Sequence, residues 1–442
     1  MTKKAKKTST IRFVSLGCFK NLVDTEVLGG LLEERGLRIV DDYEAADWLV
    51  INTCGFVRDA KEESIDEILA ALEKKEAGEI GHVAVFGCLS QRYLQDLREN
   101  FPTIDLLWGV NDLAELADAI AGAEPTPYAD RAPFLYSDRH RRIVTTVPNT
   151  AFIKISEGCN MPCSFCTIPK IRGAYRSRTI DSIVTEARRY RERGVQELVL
   201  ISQNSTHYGW ERAGRSELPE LLAAVAGLGF PWVRVLYLMP EEVDDRIIEG
   251  FAHPGVLPYF DLPFQHAAAS VLKRMARGGS PEANRQLTGR IRARFPDAVL
   301  RSTFIVGFPG EGRTEYEELR RFVADARLER IGAFIFSPEE DTPAFGLAGA
   351  VSPRTARSRF ERLLDQSDQN LEAFNRSLVG TEQAFLPQGP WNGGSTIGRI
   401  ASQAPEVDGF TEVTGVPFDD RWEIYRIRIV RSENEMLYGE KI

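Results

Sequence analysis

The sequence predicts an α/β protein in three parts: an N-terminal doubly wound parallel sheet, a central partial (β/α)6 barrel and a small C-terminal all-β barrel. Three observations predict it. Up to about residue 125, strand-like apolar runs alternate with helix patterns. From about residue 151 a second alternation supplies six more strands. Beyond Gly380 the pattern changes to short β runs broken by Gly and Pro. A chain of 442 residues is too long for one ordinary domain. The expected boundaries are 9–125, 145–375 and 378–442.

In the first part, strands are expected at 11–16, 47–52, 82–86 and 105–108, with helices at 21–35, 58–75, 91–100 and 112–121. Cys18, Cys54 and Cys88 then share one address, just past the C-terminal end of a strand. They are spaced by 36 and 34 residues, one βα unit each. Ligands of open α/β sheets bind at that end of the strands. Small buried cysteines are common at strand ends, so one alone would carry no meaning. Three in phase, each beside a glycine, point to a three-thiolate cluster site.

The other three cysteines lie in Glu157-Gly158-Cys159-Asn160-Met161-Pro162-Cys163-Ser164-Phe165-Cys166, at C-x3-C-x2-C spacing. Gly158 and Pro162 oppose helix, so a loop is expected to wrap three thiolates around one centre. Cysteine runs of this kind hold iron–sulfur clusters. Three thiolates leave one iron of a cubane open to a substrate or cofactor. A structural zinc loop or three unrelated buried thiols are the plainer alternatives. Six cysteines in a large chain with no apolar leader argue for metal in a reducing compartment rather than disulfides. No run of about 18 apolar residues is present, so the expectation is a cytoplasmic protein without a membrane partner. Met1–Lys7 reads as a frayed basic tail.

The cysteine loop, with Phe165 before its last cysteine, resembles the radical S-adenosylmethionine (SAM) enzymes. That resemblance implies a [4Fe-4S] cluster on Cys159, Cys163 and Cys166, with SAM chelating the open iron and cleaved to a 5′-deoxyadenosyl radical. The stretches Val14-Ser15-Leu16-Gly17-Cys18-Phe19-Lys20-Asn21-Leu22-Val23-Asp24, Asn52-Thr53-Cys54-Gly55-Phe56 and Phe86-Gly87-Cys88-Leu89-Ser90-Gln91-Arg92-Tyr93 resemble the methylthiotransferase family. There a second [4Fe-4S] cluster is held by three such cysteines. Gly-Cys-x-Lys-Asn-Leu-Val-Asp is similar to the branch that modifies an aspartate of ribosomal protein uS12. Phe19 stands where that branch usually has proline. The tRNA-modifying branch (MiaB-type, acting on adenosine) is the alternative within the family. An iron–sulfur electron carrier or scaffold is the alternative from another class.

The central strands are expected at 152–156, 197–202, 232–238, 259–262, 299–306 and 333–336. The cysteine loop follows the first, on the C-terminal rim where barrel active sites are built. Phe165 and the rim positions Gln203, Gln265 and Gly307 are the expected SAM contacts. Gln203-Asn204-Ser205-Thr206 departs from the family's Gln-Asp-Thr-Thr. Lys170, Arg172 and Arg178 could steady carboxylates or form surface ion pairs. His266 is a rim residue without ligand spacing. Within the connector 123–149, Arg139-His140-Arg141-Arg142 reads as a solvated charge cluster. A helix is expected over 352–378, with an apolar stripe of Phe360, Leu363, Leu364, Leu371 and Phe374.

The C-terminal segment resembles a TRAM domain. Ten acids against six bases follow Gly380, a better surface for a basic protein than for RNA phosphates. Glu406, Asp408, Glu412, Asp419 and Asp420 are the acids expected to steer such a partner. The overall charge of −9 likewise disfavours a general nucleic-acid binder. The resemblance therefore implies uS12 as protein substrate, free or on the small ribosomal subunit. It also implies a low-potential electron donor such as flavodoxin or ferredoxin. Hydrogen removal from an unactivated β-carbon lies beyond a general base, so the cofactor carries the chemistry.

Overall fold

The computed structural model describes residues 9–41, 46–124, 134–418 and 422–442. Met1–Lys7, Pro125, Pro127, Pro133, Asp419, Asp420 and Arg421 lie outside the described residues. The chain forms two compact units. One comprises Met1–Thr145, Ser156–Met161 and Cys166–Arg178; the other comprises Thr146–Ile155, Pro162–Phe165 and Thr179–Ile442.

In the first unit, strands β1 (Thr10–Ser15), β2 (Arg38–Ile39), β3 (Trp48–Thr53), β4 (His82–Gly87) and β5 (Leu106–Leu107) form one parallel sheet in the order β2-β1-β3-β4-β5. Helices α1 (Phe19–Glu34), α2 (Arg58–Glu76), α3 (Cys88–Arg92), α4 (Leu94–Asn100) and α5 (Leu113–Ile120) connect and follow the strands. Leu49, Ile51, Val83 and Val85 pack against Ile68, Ala71, Leu89 and Leu97 of α2, α3 and α4 in one apolar cluster. This is the doubly wound architecture expected. The strand order reverses between β1 and β3, so the crevice of the sheet opens there. The register makes the edge even: Ser15 lies opposite Asn52, and Thr53 opposite Gly87.

The connector is less solvated than its charge suggests. The Arg142 side chain is only 4% exposed, and its Nε donates to Glu26 Oε2 at 2.7 Å. Thr145 supplies Glu26 Oε1 with its backbone N–H and its hydroxyl. A buried carboxylate on α1 requires such partners, and the connector provides them.

The second unit carries β6 (Thr150–Lys154). The pair β7 (Ser156–Glu157) and β8 (Arg176–Ser177) belongs to the first unit. The remaining central strands are β9 (Glu197–Ile201), β10 (Trp232–Val235), β11 (Tyr259–Asp261), β12 (Val299–Val306) and β13 (Arg330–Ile335). They form two parallel ladders, β10-β9-β6 and β11-β12-β13. A parallel bridge between Val233 and Val256 and the bond from Leu238 N–H to Asp261 O join them. Six strands in succession give the partial barrel, as expected. The helix Pro353–Leu378 starts at Ser352, whose hydroxyl accepts from Thr355 N–H. Of its expected stripe only Leu363 is fully buried; the other four are half-covered, as suits a helix lying on the outside of β13.

Strands β14 (Glu382–Pro390), β15 (Thr396–Ile400), β16 (Thr411–Thr414), β17 (Tyr425–Glu433) and β18 (Met436–Lys441) close into a five-stranded barrel. Its core is Phe385, Ile400, Val413, Ile427, Ile429 and Leu437. The barrel seats on the N-terminal ends of the central strands. Arg399 lies 2.5 Å from Glu197 Oε2 and bonds Thr150, while Arg234 bonds Glu197 Oε1 at 2.8 Å and the carbonyl of Ala401. Beside them Tyr259 donates to Asp408 Oδ2 at 2.7 Å, with Arg301 and Arg330 at 4.0 and 3.9 Å from Asp408 Oδ1, the outer reach of an ion pair. Asp408 is therefore a buried joint and leaves the set of partner-steering acids. Glu406 is exposed and Glu412 half-buried, the latter accepting from Ser395.

Burial opposes charge on Glu197, but Arg399 and Arg234 outweigh it and hold its carboxyl below the usual range. Glu197→Gln leaves two buried guanidiniums undercompensated and should cost about 3–5 kcal/mol in denaturant unfolding. Because the folded value is depressed, this stability is complete above the unfolded value and is lost as pH falls through the folded one. The gap between variant and unmodified protein should be full at pH 7 and begin to close only below roughly pH 4.

Candidate metal centre

The three strand-end cysteines meet in the first unit. Cys18 caps the start of α1, Cys54 follows β3 directly, and Cys88 opens α3. Gly17, at φ +87°, holds the backbone where an added Cβ would stand 2.8 Å from Cys54 Cβ and 3.0 Å from its sulfur. Only a residue without a side chain lets the first two loops approach so closely.

Asn21, fully buried on α1, ties the loops together. Its Nδ2 donates to Leu16 O at 3.0 Å and to Thr53 O at 3.1 Å, carbonyls two residues before Cys18 and one before Cys54. Its Oδ1 lies 3.5 Å from the Cys88 sulfur. Asn52 in turn donates to the Asn21 carbonyl and to Thr25. Asn21, Asp24 and Thr25 recur at helical spacing on one face of α1, beside buried Val23, Val27 and Leu28. That polar stripe is the signal in the sequence that marks them as more than members of a motif.

Arg172 ends the short helix α6 (Ile168–Arg172). It is no surface ion pair: it is 2% exposed. It donates to Asp24 Oδ2 and Asn21 Oδ1, both at 2.6 Å, and to Glu157 Oε2 and the Cys88 sulfur, both at 3.3 Å. Arg178 is also buried, stacked 4.3 Å over Tyr136. Lys170 alone of the three is exposed.

The thiols differ in acidity. The atoms packed around Cys18 disfavour charge, yet Lys20, backbone N–H groups and Arg172 outweigh them and lower its pKa. Burial pushes Cys54 up to about 11, with Cys88 and Cys18 adding like-charge repulsion. Burial also raises Cys88, against the pull of Arg172. Three mutually repelling thiols held in one crevice fit a polynuclear iron–sulfur group, whose irons share them out. Among the described residues, no three Cys, His, Asp or Glu are grouped to hold a single metal ion. The thiolates of a cubane, each on its own iron, stand further apart than ligands of one ion.

Residues of the cysteine loop belong to both units. In the first, Cys159 is buried and its sulfur accepts from Met161 N–H at 3.5 Å; Cys166 sulfur accepts from Ile168 N–H at 3.4 Å. In the second, burial raises the Cys163 thiol against the pull of the Arg277 charge, and Arg277 grips Glu241 through two bonds of 2.8 and 2.9 Å. Phe165 packs edge-on to Phe308 within an apolar cluster.

The expected SAM contacts each stand past their own strand. Gln203 is half-buried after β9. Gln265 adopts φ +67° and bridges into β12 through Thr303 and Ile305. Gly307 has a packing reason of its own, since a Cβ there would stand 2.7 Å from Ala356 Cβ on the long helix. His266 is fully buried: its Nδ1 accepts from Ala268 N–H, and its Nε2 lies 3.3 Å from Glu311 Oε2, which also receives Gly307 N–H. Asn204 donates to Glu242, which also meets His207. An aspartate at 204 would repel that carboxylate, so the departure from the family pattern is locally compensated.

Comparison with known proteins places these features. Residues 10–109 match the model of an uncharacterized protein family, UPF0004, and residues 153–323 match the radical SAM superfamily. A ribosomal protein uS12 methylthiotransferase RimO of Solibacter usitatus is 39% identical over 437 residues, spanning 97% of this chain and 94% of the relative. Its namesake from Sorangium cellulosum is 41% identical, spanning 97% and 90%. The chain belongs to the RimO methylthiotransferase family. A further RimO relative, of Syntrophomonas wolfei, is 40% identical across 97% of this chain and 99% of its own. Two structures of the radical SAM methyltransferase TsrM from Kitasatospora setae share the fold at 16% identity, with TM-scores of 0.54 and 0.55 over 76% and 77% of this chain and 77% and 75% of theirs.

The close approach at Gly17 yields a test. Gly17→Ala should displace Cys54 and remove about half of the iron from anaerobically reconstituted protein. Gly36 also has positive φ but nothing within 4 Å of an added Cβ, so Gly36→Ala should retain the full iron content. Equal iron in both variants would mean that Cys54 holds none.

Proposed function

We propose that this RimO family member adds a methylthio group to the β-carbon of an aspartate of ribosomal protein uS12. The observation that carries the reading is the presence, in one chain, of two three-cysteine groups placed after parallel strands. Cys18, Cys54 and Cys88 hold an auxiliary [4Fe-4S] cluster, and Cys159, Cys163 and Cys166 hold the cluster that binds SAM. When bound, these groups supply the methyl, the sulfur and the radical chemistry. The chain's own residues orient them. Asn21 fixes two of the auxiliary loops. Arg277 and backbone N–H groups stabilise the thiolates of the second loop. Phe165, Gln203, Gln265 and Gly307 are the proposed SAM contacts.

The proposed domains are an N-terminal methylthiotransferase domain over 9–125, a radical SAM core over 145–375 and a TRAM domain over 378–442. A flavodoxin or ferredoxin supplies electrons, and the reaction takes place in the cytoplasm. Among the described residues, no helix is long and apolar enough to cross a membrane.

Replacing Cys159, Cys163 and Cys166 by alanine should abolish 5′-deoxyadenosine formation and leave about half of the iron. Replacing Cys18, Cys54 and Cys88 should keep SAM cleavage and eliminate methylthio transfer. Unchanged iron in either variant would remove that triad as ligands. For the substrate, the reconstituted enzyme is incubated with methyl-labelled SAM and either a uS12 peptide or total tRNA. Mass spectrometry should find one methylthio group on an aspartate. Label in tRNA alone would overturn the protein substrate.

A further inference from the structure

We propose that Arg172 is a positioning residue that sets the charge, and with it the reduction potential, of the Cys18/Cys54/Cys88 centre. The inference rests on the auxiliary centre proposed above. The guanidinium stays protonated at any working pH, and here it is shut away from water. Asp24 and Asn21, each at 2.6 Å, aim it, leaving an N–H on the Cys88 sulfur at 3.3 Å. Ile171, its neighbour on α6, packs against Cys88 and Val110, so helix and thiol are held as one piece. Glu157, two residues before Cys159, takes a further bond.

A positive charge and an N–H aimed at a ligand sulfur both favour the more negative, reduced state of an iron–sulfur centre. Low local dielectric strengthens the effect. Asp24 acts in the opposite sense, because its carboxylate faces the same centre and offsets part of the guanidinium charge. The two residues should therefore shift the potential in opposite directions, whereas a merely structural clamp would shift neither.

The test uses full-length protein carrying Cys159→Ala, Cys163→Ala and Cys166→Ala, so that only the auxiliary centre titrates. Reconstituted protein is followed by electron paramagnetic resonance during a redox titration. Arg172→Gln should move the midpoint to more negative potential and Asp24→Asn to more positive. Arg172→Lys keeps the charge but loses the planar fork, and should fall between Arg172→Gln and the parent. An unmoved or positive midpoint in Arg172→Gln, or an unmoved or negative one in Asp24→Asn, overturns the proposal. Should Arg172→Gln fail to retain iron, Asp24→Asn decides alone, since it leaves the guanidinium in place. Loss of iron from both variants makes the residue a structural clamp and also overturns the proposal. Absence of iron and sulfide from the parent, before any change at Arg172 or Asp24, overturns the centre itself and the inference with it.

Discussion

A buried guanidinium must be partnered on every side, and at Arg172 that requirement organises the first unit. Its partners come from α1, from β7 and from the start of α3. These segments lie far apart in sequence, and each carries or adjoins a cysteine. Removing one partner would leave the charge less compensated in low dielectric. Asn21 works beside it through neutral bonds, which are individually weaker but fix backbone carbonyls rather than side chains. Together they turn three mobile-looking loop ends into a defined crevice at the switch point of the sheet.

The second unit is joined by the same physics at the opposite end of its strands. Glu197 sits without solvent between one arginine of each barrel, and Asp408 of the C-terminal barrel faces two arginines of the central strands. Ion pairs so buried add little net stability over apolar packing, but they tolerate no change of register. The C-terminal barrel therefore closes the N-terminal ends of the central strands. Rim residues such as Gln203 and Gln265 occupy the other ends.

Much of the fold was legible in the sequence. Apolar runs alternating with helix patterns gave the sheet, and the phase of three cysteines placed them at one edge of it. The spacing of the cysteine loop pointed to a metal centre, and its resemblance to the radical SAM enzymes implied the chemistry. Short strands such as Arg38–Ile39 and the pair Ser156–Glu157 with Arg176–Ser177 escaped, because two residues carry no period. The connector was misjudged for a related reason: Arg142 reads as one more charge in a basic run until Glu26 on α1 is seen beneath it.

What the sequence by itself determined is the inventory: which residues are thiols, on which strand ends they stand, and which family pattern they follow. Periodicity and spacing are local properties, and local physics suffices to read them. What only the tertiary structure decided is pairing. Arg172 against Asp24 spans 148 residues, Arg399 against Glu197 spans 202, and Asp408 against Tyr259 spans 149. A charged side chain gains its meaning from the dielectric and the countercharge around it. Those are set by segments that chain order does not bring together, so the same arginine reads as surface in the sequence and as core in the fold.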